Sequence, residues 1–532
     1  MARRSKVAAS AAPTEIEVKL ALPGADVQAI AAAVAASPVL ARRKAQRQRV
    51  FSQYFDTPDQ ALRRQRVALR LRRLGSPEQP QWRQTLKTAG QGDSAFSVRG
   101  EWEMPVPAPA LALELLQNSP WPQMDADSSL SAALQPCFTT EFERTTWLVR
   151  QRDGSQIEVA LDIGSITAAG RSVPLCELEL ELIAGSPAAL LDLAGRIARS
   201  VAVLPLAASK AERGFALQAS AHSAANPAAN PAAPVLAVLA QPPKVSPSDS
   251  LARIARQVLG EAFLQFTANL YRLQTNDAPE LVHQARVGWR RFRSLWRMLR
   301  PLLPDWALPP LQALQPLLGS LGALRDLDVA RTETLPPLAQ AYLQHSQHEA
   351  GADMPQQWQQ LQTALGQAAS QERAAVRAAL MQPSVGAALL ALSHWLELLD
   401  GPLAATVAPQ SAKAQARSLQ ALRRRALRLA KRLEQMLHQC QHDHSPEGIE
   451  RQHEVRILAK RLRYNVHALA PLLPKRLQQQ HRAAQQLQER LGAARDLLQA
   501  RHLVARWGAN PLWLAFLQGV VVARTLDEPP SP

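Results

Sequence analysis

Residues 15 to 19 read Glu-Ile-Glu-Val-Lys. In an extended strand, alternate side chains share one face. Glu15, Glu17 and Lys19 therefore point one way, and Ile16 and Val18 the other. The pattern returns along the first 215 residues, in strands expected over 49–55, 67–73, 82–88, 97–106, 138–150, 156–163 and 175–183, with helices over 25–36 and 187–201. Leu69 and Leu71 oppose Arg70 and Arg72. Thr85 pairs with Lys87 on one face, as do Arg99, Glu101 and Glu103. Glu158, Ala160 and Asp162 share another, and Glu177, Glu179 and Glu181 oppose Leu178, Leu180 and Leu182. An antiparallel sheet that shows its charges to water looks similar strand by strand. The charges here are segregated, however: acids on the first strand and the two late ones, bases on the strands between. Curling such a sheet closed gives a barrel with a charged interior. Carboxylates there suit a hard divalent cation, and lysine or arginine suits phosphate.

Glu15-x-Glu17-x-Lys19, Tyr54-Phe55-Asp56-Thr57-Pro58, Leu69-Arg70-Leu71-Arg72, Thr85-Leu86-Lys87, Arg144, Ile157 to Asp162, Glu177-Leu178-Glu179 and Ser209-Lys210 follow one another in this order. With them, residues 14–215 resemble a CYTH domain, of the triphosphate tunnel metalloenzyme family. The resemblance implies an eight-stranded antiparallel β tunnel that acts on triphosphate substrates with Mg²⁺ or Mn²⁺. It makes Glu15, Glu17, Glu177 and Glu179 metal-site carboxylates, joined by Glu158 and Asp162. Lys19, Arg70, Arg72, Lys87, Arg144 and Lys210 would clamp the triphosphate, with Arg99 and Arg213 as additions. Glu15, Glu17, Lys19 and Lys87 are the catalytic set. A triphosphate needs several charge-assisted contacts, and phosphoryl transfer needs positioning and charge stabilisation more than covalent chemistry. No side-chain nucleophile is assigned.

At 532 residues the chain should hold at least two domains. Its formal charge is +17, and residues from Val235 onward carry most of it, with 35 basic against 22 acidic groups. Cys137, Cys176 and Cys440 form no disulfide framework, no apolar stretch follows the basic start Met1 to Lys6, and no apolar run reaches 18 residues. A cytoplasmic protein without a membrane span is expected. Residues 216–244, with Asn226-Pro227-Ala228-Ala229-Asn230-Pro231, read as an Ala/Pro linker.

Beyond it the pattern is helical and duplicated. His283, Arg286, Arg290 and Arg293 match His453, Arg456, Lys460 and Arg463, and Leu321-Gly322-Ala323-Leu324-Arg325-Asp326 matches Leu491-Gly492-Ala493-Ala494-Arg495-Asp496, all at one offset of 170. On a helix, 283, 286, 290, 293 and 297 fall within an arc of about 80°. A solvated face usually mixes signs; this one is almost purely cationic. Arg424, Arg428 and Lys431 extend the basic character, whereas residues 335–410 are poor in it and would connect two lobes. His442-Asp443-His444 reads as a polar loop rather than a metal site. Few aromatic residues interleave with the stripes and no helix-turn-helix or finger signature appears, which argues against nucleic acid. Residues 245–525 resemble a CHAD domain. That resemblance implies a two-lobed all-α bundle whose basic faces, His283, Arg286, Arg290, Arg293, His453, Arg456, Lys460 and Arg463, bind inorganic polyphosphate.

The expected protein is thus a multidomain α+β chain. Its tunnel hydrolyses inorganic triphosphate to diphosphate and phosphate, and its helical module holds polyphosphate. An adenylate cyclase or thiamine triphosphatase on the same tunnel, or a non-catalytic polyphosphate-binding or granule-associated protein, are the alternatives.

Overall fold

The computed structural model describes residues 13–75, 79–88, 90, 95–224, 237–242, 244–303, 305–345, 354–400, 411–440, 446–507 and 511–526. The chain divides into two compact units, one holding residues up to 236 and the other most of the residues after it.

In the first unit, eight strands run β1 (Thr14–Ala21), β2 (Gln46–Asp56), β3 (Ala68–Leu74), β4 (Gln81–Lys87), β5 (Phe96–Val106), β6 (Gln135–Arg150), β7 (Gln156–Ala168) and β8 (Arg171–Ala184). Their order around the sheet is β5-β4-β3-β2-β6-β7-β8-β1, and β1 returns to β5, closing an antiparallel barrel; a two-residue strand, Leu204–Pro205, also pairs with β1. Closure follows from the alternation. The aliphatic residues form an outer face that other elements cover, so the charged residues are left with the interior. On the β1 and β8 side, Val18, Leu20, Leu178 and Leu180 are fully buried, under helix α2 (Pro187–Ile197; the earlier α1 is Val27–Ala36). On the β3 and β4 side, Leu69 and Leu86 pack with Leu62, Leu116 and Trp121. Each such apolar side chain contributes about 1.5–3 kcal/mol by leaving water.

Strand boundaries agree with the sequence expectation to within a few residues; β6, β7 and β8 run longer. Asp56, at the end of β2, is fully buried. Its carboxylate accepts from the backbone N–H groups of Thr57, Leu62 and Arg63 at 2.8–3.0 Å. It thereby ties the end of β2 to the helical turn Ala61–Arg64.

Helix α3 (Lys210–Ala224) closes onto the β6 and β7 side of the barrel. Phe215 and Leu217 join Tyr54, Phe138, Phe142, Ile166 and Leu175 in one apolar cluster. Phe138 stacks on Tyr54 with ring centroids 4.5 Å apart and meets Phe215 edge-on at 5.0 Å. The expected linker therefore starts inside a helix, because Phe215 and Leu217 have a core to fill. The Asn226 to Pro234 stretch lies outside the described residues.

The second unit is all helical: α4 (Leu251–Leu273), α5 (Pro279–Leu299), α6 (Gln315–Val329), α7 (Leu335–His345), α8 (Met354–Leu380), α9 (Pro383–Asp400), α10 (Ala412–Cys440), α11 (Pro446–Leu469), α12 (Lys475–Arg506) and α13 (Pro511–Leu526). No single described helix is long and apolar enough to cross a bilayer. The duplicated basic helices are α5 and α11, and they pack against each other. Asn465 donates to Ser294 Oγ at 3.0 Å between them. A single π-helical turn, Ala330–Thr334, extends α6. Its counterpart α12 continues as regular α-helix. The His442 to His444 cluster lies outside the described residues.

Gly214 lets α3 sit down on the barrel. A Cβ there would lie 2.1 Å from the Phe138 ring. Gly214→Ala is expected to destabilise the first unit by ~1–3 kcal/mol, as overpacking a filled core does. Denaturant unfolding of the purified full chain, followed through its first transition, measures this; an unchanged midpoint would contradict the close fit.

Candidate functional site

The barrel encloses a cavity of about 1000 Å³, lined by Glu15, Lys19, Arg70, Arg72, Lys87, Arg99, Glu101, Arg144, Glu158, Glu179, Glu181 and Lys210, among others. Strand register arranges these charges. Glu15 stands opposite Arg99 on β5, and Lys19 opposite Glu179 on β8. Arg144 stands opposite Asp162, and Asp162 opposite Glu177.

Two ion-paired groups result. In the first, Lys87 Nζ lies 2.8 Å from Glu15 and 3.0 Å from Glu101. Arg99 reaches Glu15 at 2.7 Å and Glu17 at 2.5 Å. Lys19 Nζ lies 2.7 Å from Glu17. Burial alone would raise the Glu15 pKa, but Lys87 and Arg99 outweigh it and hold the carboxyl below its ordinary range. In the second, Lys210 Nζ lies 2.7 Å from Asp162, 2.5 Å from Glu177 and 2.9 Å from Glu179. Arg144 bonds Asp162 and Glu179 at 2.6 Å each, and Arg213 bonds Glu177 at 2.6 Å. Against the cost of burial, Lys210 and Arg144 keep Glu179 ionised well below the ordinary range.

Arg72 differs from these cations. Its Nε donates to Ser52 Oγ at 3.3 Å, and among the described residues no carboxylate lies within salt-bridge distance of it. Burial, then the like charges of Arg70 and Arg144, lower its pKa to about 10. A cation so placed favours an incoming anion. Arg70 beside it donates to Thr85 Oγ1 at 3.3 Å and lies 3.7 Å from Glu101.

The carboxylate oxygens of Asp162, Glu177 and Glu179 lie within 4.8 Å of one another. Three hard oxygen donors so close fit an oxygen-loving divalent ion such as Mg²⁺. The six acids expected as one metal set are thus divided. β1 and β8 run antiparallel with Glu17 opposite Glu181 and Ala21 opposite Glu177, which sets Glu15 and Glu17 apart from the other three along the strands. Glu158 lines the cavity opposite Glu181 in the β7–β8 register.

Of the further residues that line this cavity, Glu101, Tyr54 and Glu181 bear on its charges. Glu101 joins the first ion-paired group. Tyr54 lines the wall with its phenol buried; burial raises its pKa, but Arg70 and Arg72 more than reverse that. Glu181 is the third member of the Glu177-x-Glu179-x-Glu181 alternation, which is the signal that marks it. Burial, followed by repulsion from Glu15, Glu101 and Glu158, raises its pKa to about 7.

In the second unit the two copies of the basic stripe converge. Arg286 is acted on by Arg290 of its own helix and by Arg495 of the other copy. Arg456 and Lys460 each feel Arg290 and Arg495. Burial and this crowding lower Arg286 and Arg456 to about 10 and Lys460 to about 7. Asp326 and Asp496 of the Arg-Asp motifs oppose the effect. Arg325 and Arg495 therefore belong with the stripes, although the expected set left them out. Arg293 is exposed, and Arg463 lies over the Tyr464 ring at 5.0 Å. His283 sits near Arg325, Glu280 and Glu333. The side chain of His453 lies outside the described residues.

Family profiles match both units: the CYTH domain over residues 13–215 and the CHAD domain over residues 257–505. The chain joins a CYTH domain to a CHAD domain. It is 36% identical over 167 residues to an inorganic triphosphatase of Haemophilus influenzae. The match covers 31% of this chain and 44% of that relative, so the chain spans under half the length of that relative. Among solved structures, a CHAD domain from Ricinus communis is similar at 24% identity, with TM-score 0.42, over 56% of this chain and 94% of that one. A Hippeastrum protein described as an adenylyl cyclase with a dominant triphosphatase activity is similar at 19% identity, with TM-score 0.28, over 39% of this chain and 95% of that one.

The crowding in the CHAD unit has a measurable cost. Lys460 has a folded-state pKa depressed below its unfolded value, so its penalty is absent above the unfolded pKa and grows as pH falls towards 7. Lys460→Met is expected to stabilise the CHAD unit by ~1–3 kcal/mol at pH 7, as removal of a disfavoured buried charge. The gain should shrink towards zero at pH 10.5 and above. Denaturation midpoints across that range measure it, and a variant no more stable than wild type at pH 7 would contradict the crowding.

Proposed function

We propose that the CYTH tunnel hydrolyses inorganic triphosphate to diphosphate and phosphate with a divalent metal ion, and that the CHAD unit binds inorganic polyphosphate. The observation that carries the first part is the pairing inside the tunnel. The cations that would clamp a triphosphate are held by the carboxylates that would hold a metal. A triphosphate entering the cavity offers Lys19, Arg70, Arg72, Lys87, Arg144 and Lys210 several anionic oxygens at once, beginning at Arg72, which has no carboxylate partner among the described residues. As those cations turn to phosphate, Asp162, Glu177 and Glu179 lose their partners and are left as an oxygen-donor set. A divalent ion bound there would neutralise phosphoryl charge and acidify a water molecule. The chain's own residues do the rest: the arginines and lysines align the phosphates, the closed wall limits access of bulk water, and Glu15 and Glu17 fix Lys87, Lys19 and Arg99 in place. The similarity to an inorganic triphosphatase supports this choice of substrate. A pure anion binder would have no use for the buried acids.

Glu179→Gln keeps the side-chain volume and removes one carboxylate from the set. Triphosphate hydrolysis in saturating Mg²⁺ is expected to fall by at least ~10²-fold, the scale of losing one electrostatic contributor to the transition state, while the variant still folds, because Lys210 and Arg144 keep Asp162 and Glu177 as partners. Phosphate release from triphosphate, ATP, thiamine triphosphate and long polyphosphate, with metal and with chelator, identifies the substrate. Near-normal turnover in the folded variant would show the acids to be structural.

For the CHAD unit, polyphosphate affinity should fall steeply with salt, through counterion release. Neutralising Arg286, Arg290 and Arg293 together, or Arg456, Lys460 and Arg463 together, should weaken binding and flatten the salt slope. Triphosphate hydrolysis should be unaffected. Competition between long polyphosphate and nucleic acid at ~150 mM salt tests the ligand class, because screening suppresses loose attraction there; preference for nucleic acid would overturn it.

A further inference from the structure

The two copies of the CHAD motif are not equivalent as anion sites. The Arg-Asp motif of the first copy is followed by a π-helical turn, Ala330–Thr334. That turn carries Glu333, whose carboxylate lies 3.0 Å from the Arg325 guanidinium. Arg325 is mostly buried, at 17% exposure, while Glu333 is 55% exposed. The acid therefore reaches in from solvent to neutralise a cation set into the surface. The 170-residue offset of the duplication places Leu503 opposite Glu333. Leu503 is buried in a regular α-helix and carries no charge. A second difference lies beside the first. In copy one the Arg286 guanidinium rests on Gly322, 2.8 Å from where a Cβ would stand, whereas among the described residues nothing comes within 4 Å of the equivalent point at Gly492. Copy one thus has its motif arginine ion-paired to an acid. Copy two sets Arg495 beside Lys460 and the buried Arg456, in mutual repulsion that Asp496 opposes.

We infer that Glu333 is a built-in counter-ion of the polyanion surface, which an incoming phosphate chain must displace from Arg325, so that binding starts on the second copy and spreads to the first. The inference rests on the polyphosphate reading of the CHAD unit. Glu333 would act on one half of the surface by holding a place that a phosphate oxygen takes in the complex. A π-turn suits this role, since a π-bulge re-aims the side chains that follow it and is common at functional sites. The device lowers affinity for short or sparsely charged anions, which cannot recover the lost ion pair. It penalises long chains less, because they are already anchored on copy two.

The test is a binding titration of the full-length protein with long-chain inorganic polyphosphate across a salt series, wild type against Glu333→Gln. The substitution should tighten binding by roughly 3- to 10-fold and steepen the log–log salt slope by about one, the change expected for one added phosphate contact. Arg325→Gln and Arg495→Gln provide the internal control. In the wild-type background Arg495→Gln should cost more than Arg325→Gln; in the Glu333→Gln background the two should cost the same. If wild type binds polyphosphate and Glu333→Gln leaves affinity and slope unchanged, or weakens binding, the counter-ion role is overturned while the polyphosphate reading stands. If wild type does not bind polyphosphate at low salt, that reading fails and the counter-ion role with it.

Discussion

A charge inside a closed barrel must find a partner, and the rest of the CYTH unit depends on that requirement. Glu17, Lys19, Asp162, Glu177 and Lys210 are all within a few per cent of complete burial. Removing one member of a buried ion pair costs about 3–5 kcal/mol, because the other is left uncompensated. The wall can hold so many charges only if acids and bases arrive at matching heights. Antiparallel register does this: Lys19 meets Glu179, Arg144 meets Asp162, and Glu15 meets Arg99. Helix α3 then adds Lys210 and Arg213 beside the acids of β7 and β8. Its aromatic anchor, Phe215 on Phe138, fixes where those two charges stand. In the proposed reaction structural and functional demands would meet in the same residues, since exchanging carboxylate partners for phosphate and metal would need both sets already in place.

The CHAD unit solves the opposite problem. Its basic helices α5 and α11 pack together, so cations from both copies are brought within reach of one another with too few acids to balance them. The depressed Lys460, Arg286 and Arg456 pKa values are the signature of that imbalance. An anion laid on the surface would relieve it, which is the physical basis of the polyphosphate binding proposed for this unit. In the tunnel most charges are ion-paired and confined, whereas in the CHAD unit the clustered cations are left in mutual repulsion.

By itself the sequence determined most of the first unit's architecture. Strict period-two alternation with charged and aliphatic faces leaves few ways to cover both sides of a sheet, so the strands, their inward faces and closure were all legible, as was the duplication in the second half. Residue types at those inward positions also marked Lys19, Arg70, Arg72, Lys87 and Lys210 as one chemical set. Only the tertiary structure decided who meets whom. Register divides the acids into Asp162, Glu177 and Glu179 on one side and Glu15 and Glu17 on the other, because alternation names the face of a residue but not its height along the barrel. The like-charged neighbours of Glu181 and the position of Tyr54 against Arg70 and Arg72 were hidden for the same reason. So was the continuation of α3 past residue 215, where composition reads as tether but Phe215 and Leu217 find a core. In the second unit, an exact offset of 170 reads as two equal copies. The ion pair of Arg325 with Glu333 makes them unequal, since a pairing across the π-turn depends on where the helix re-aims a side chain, which no repeat pattern records.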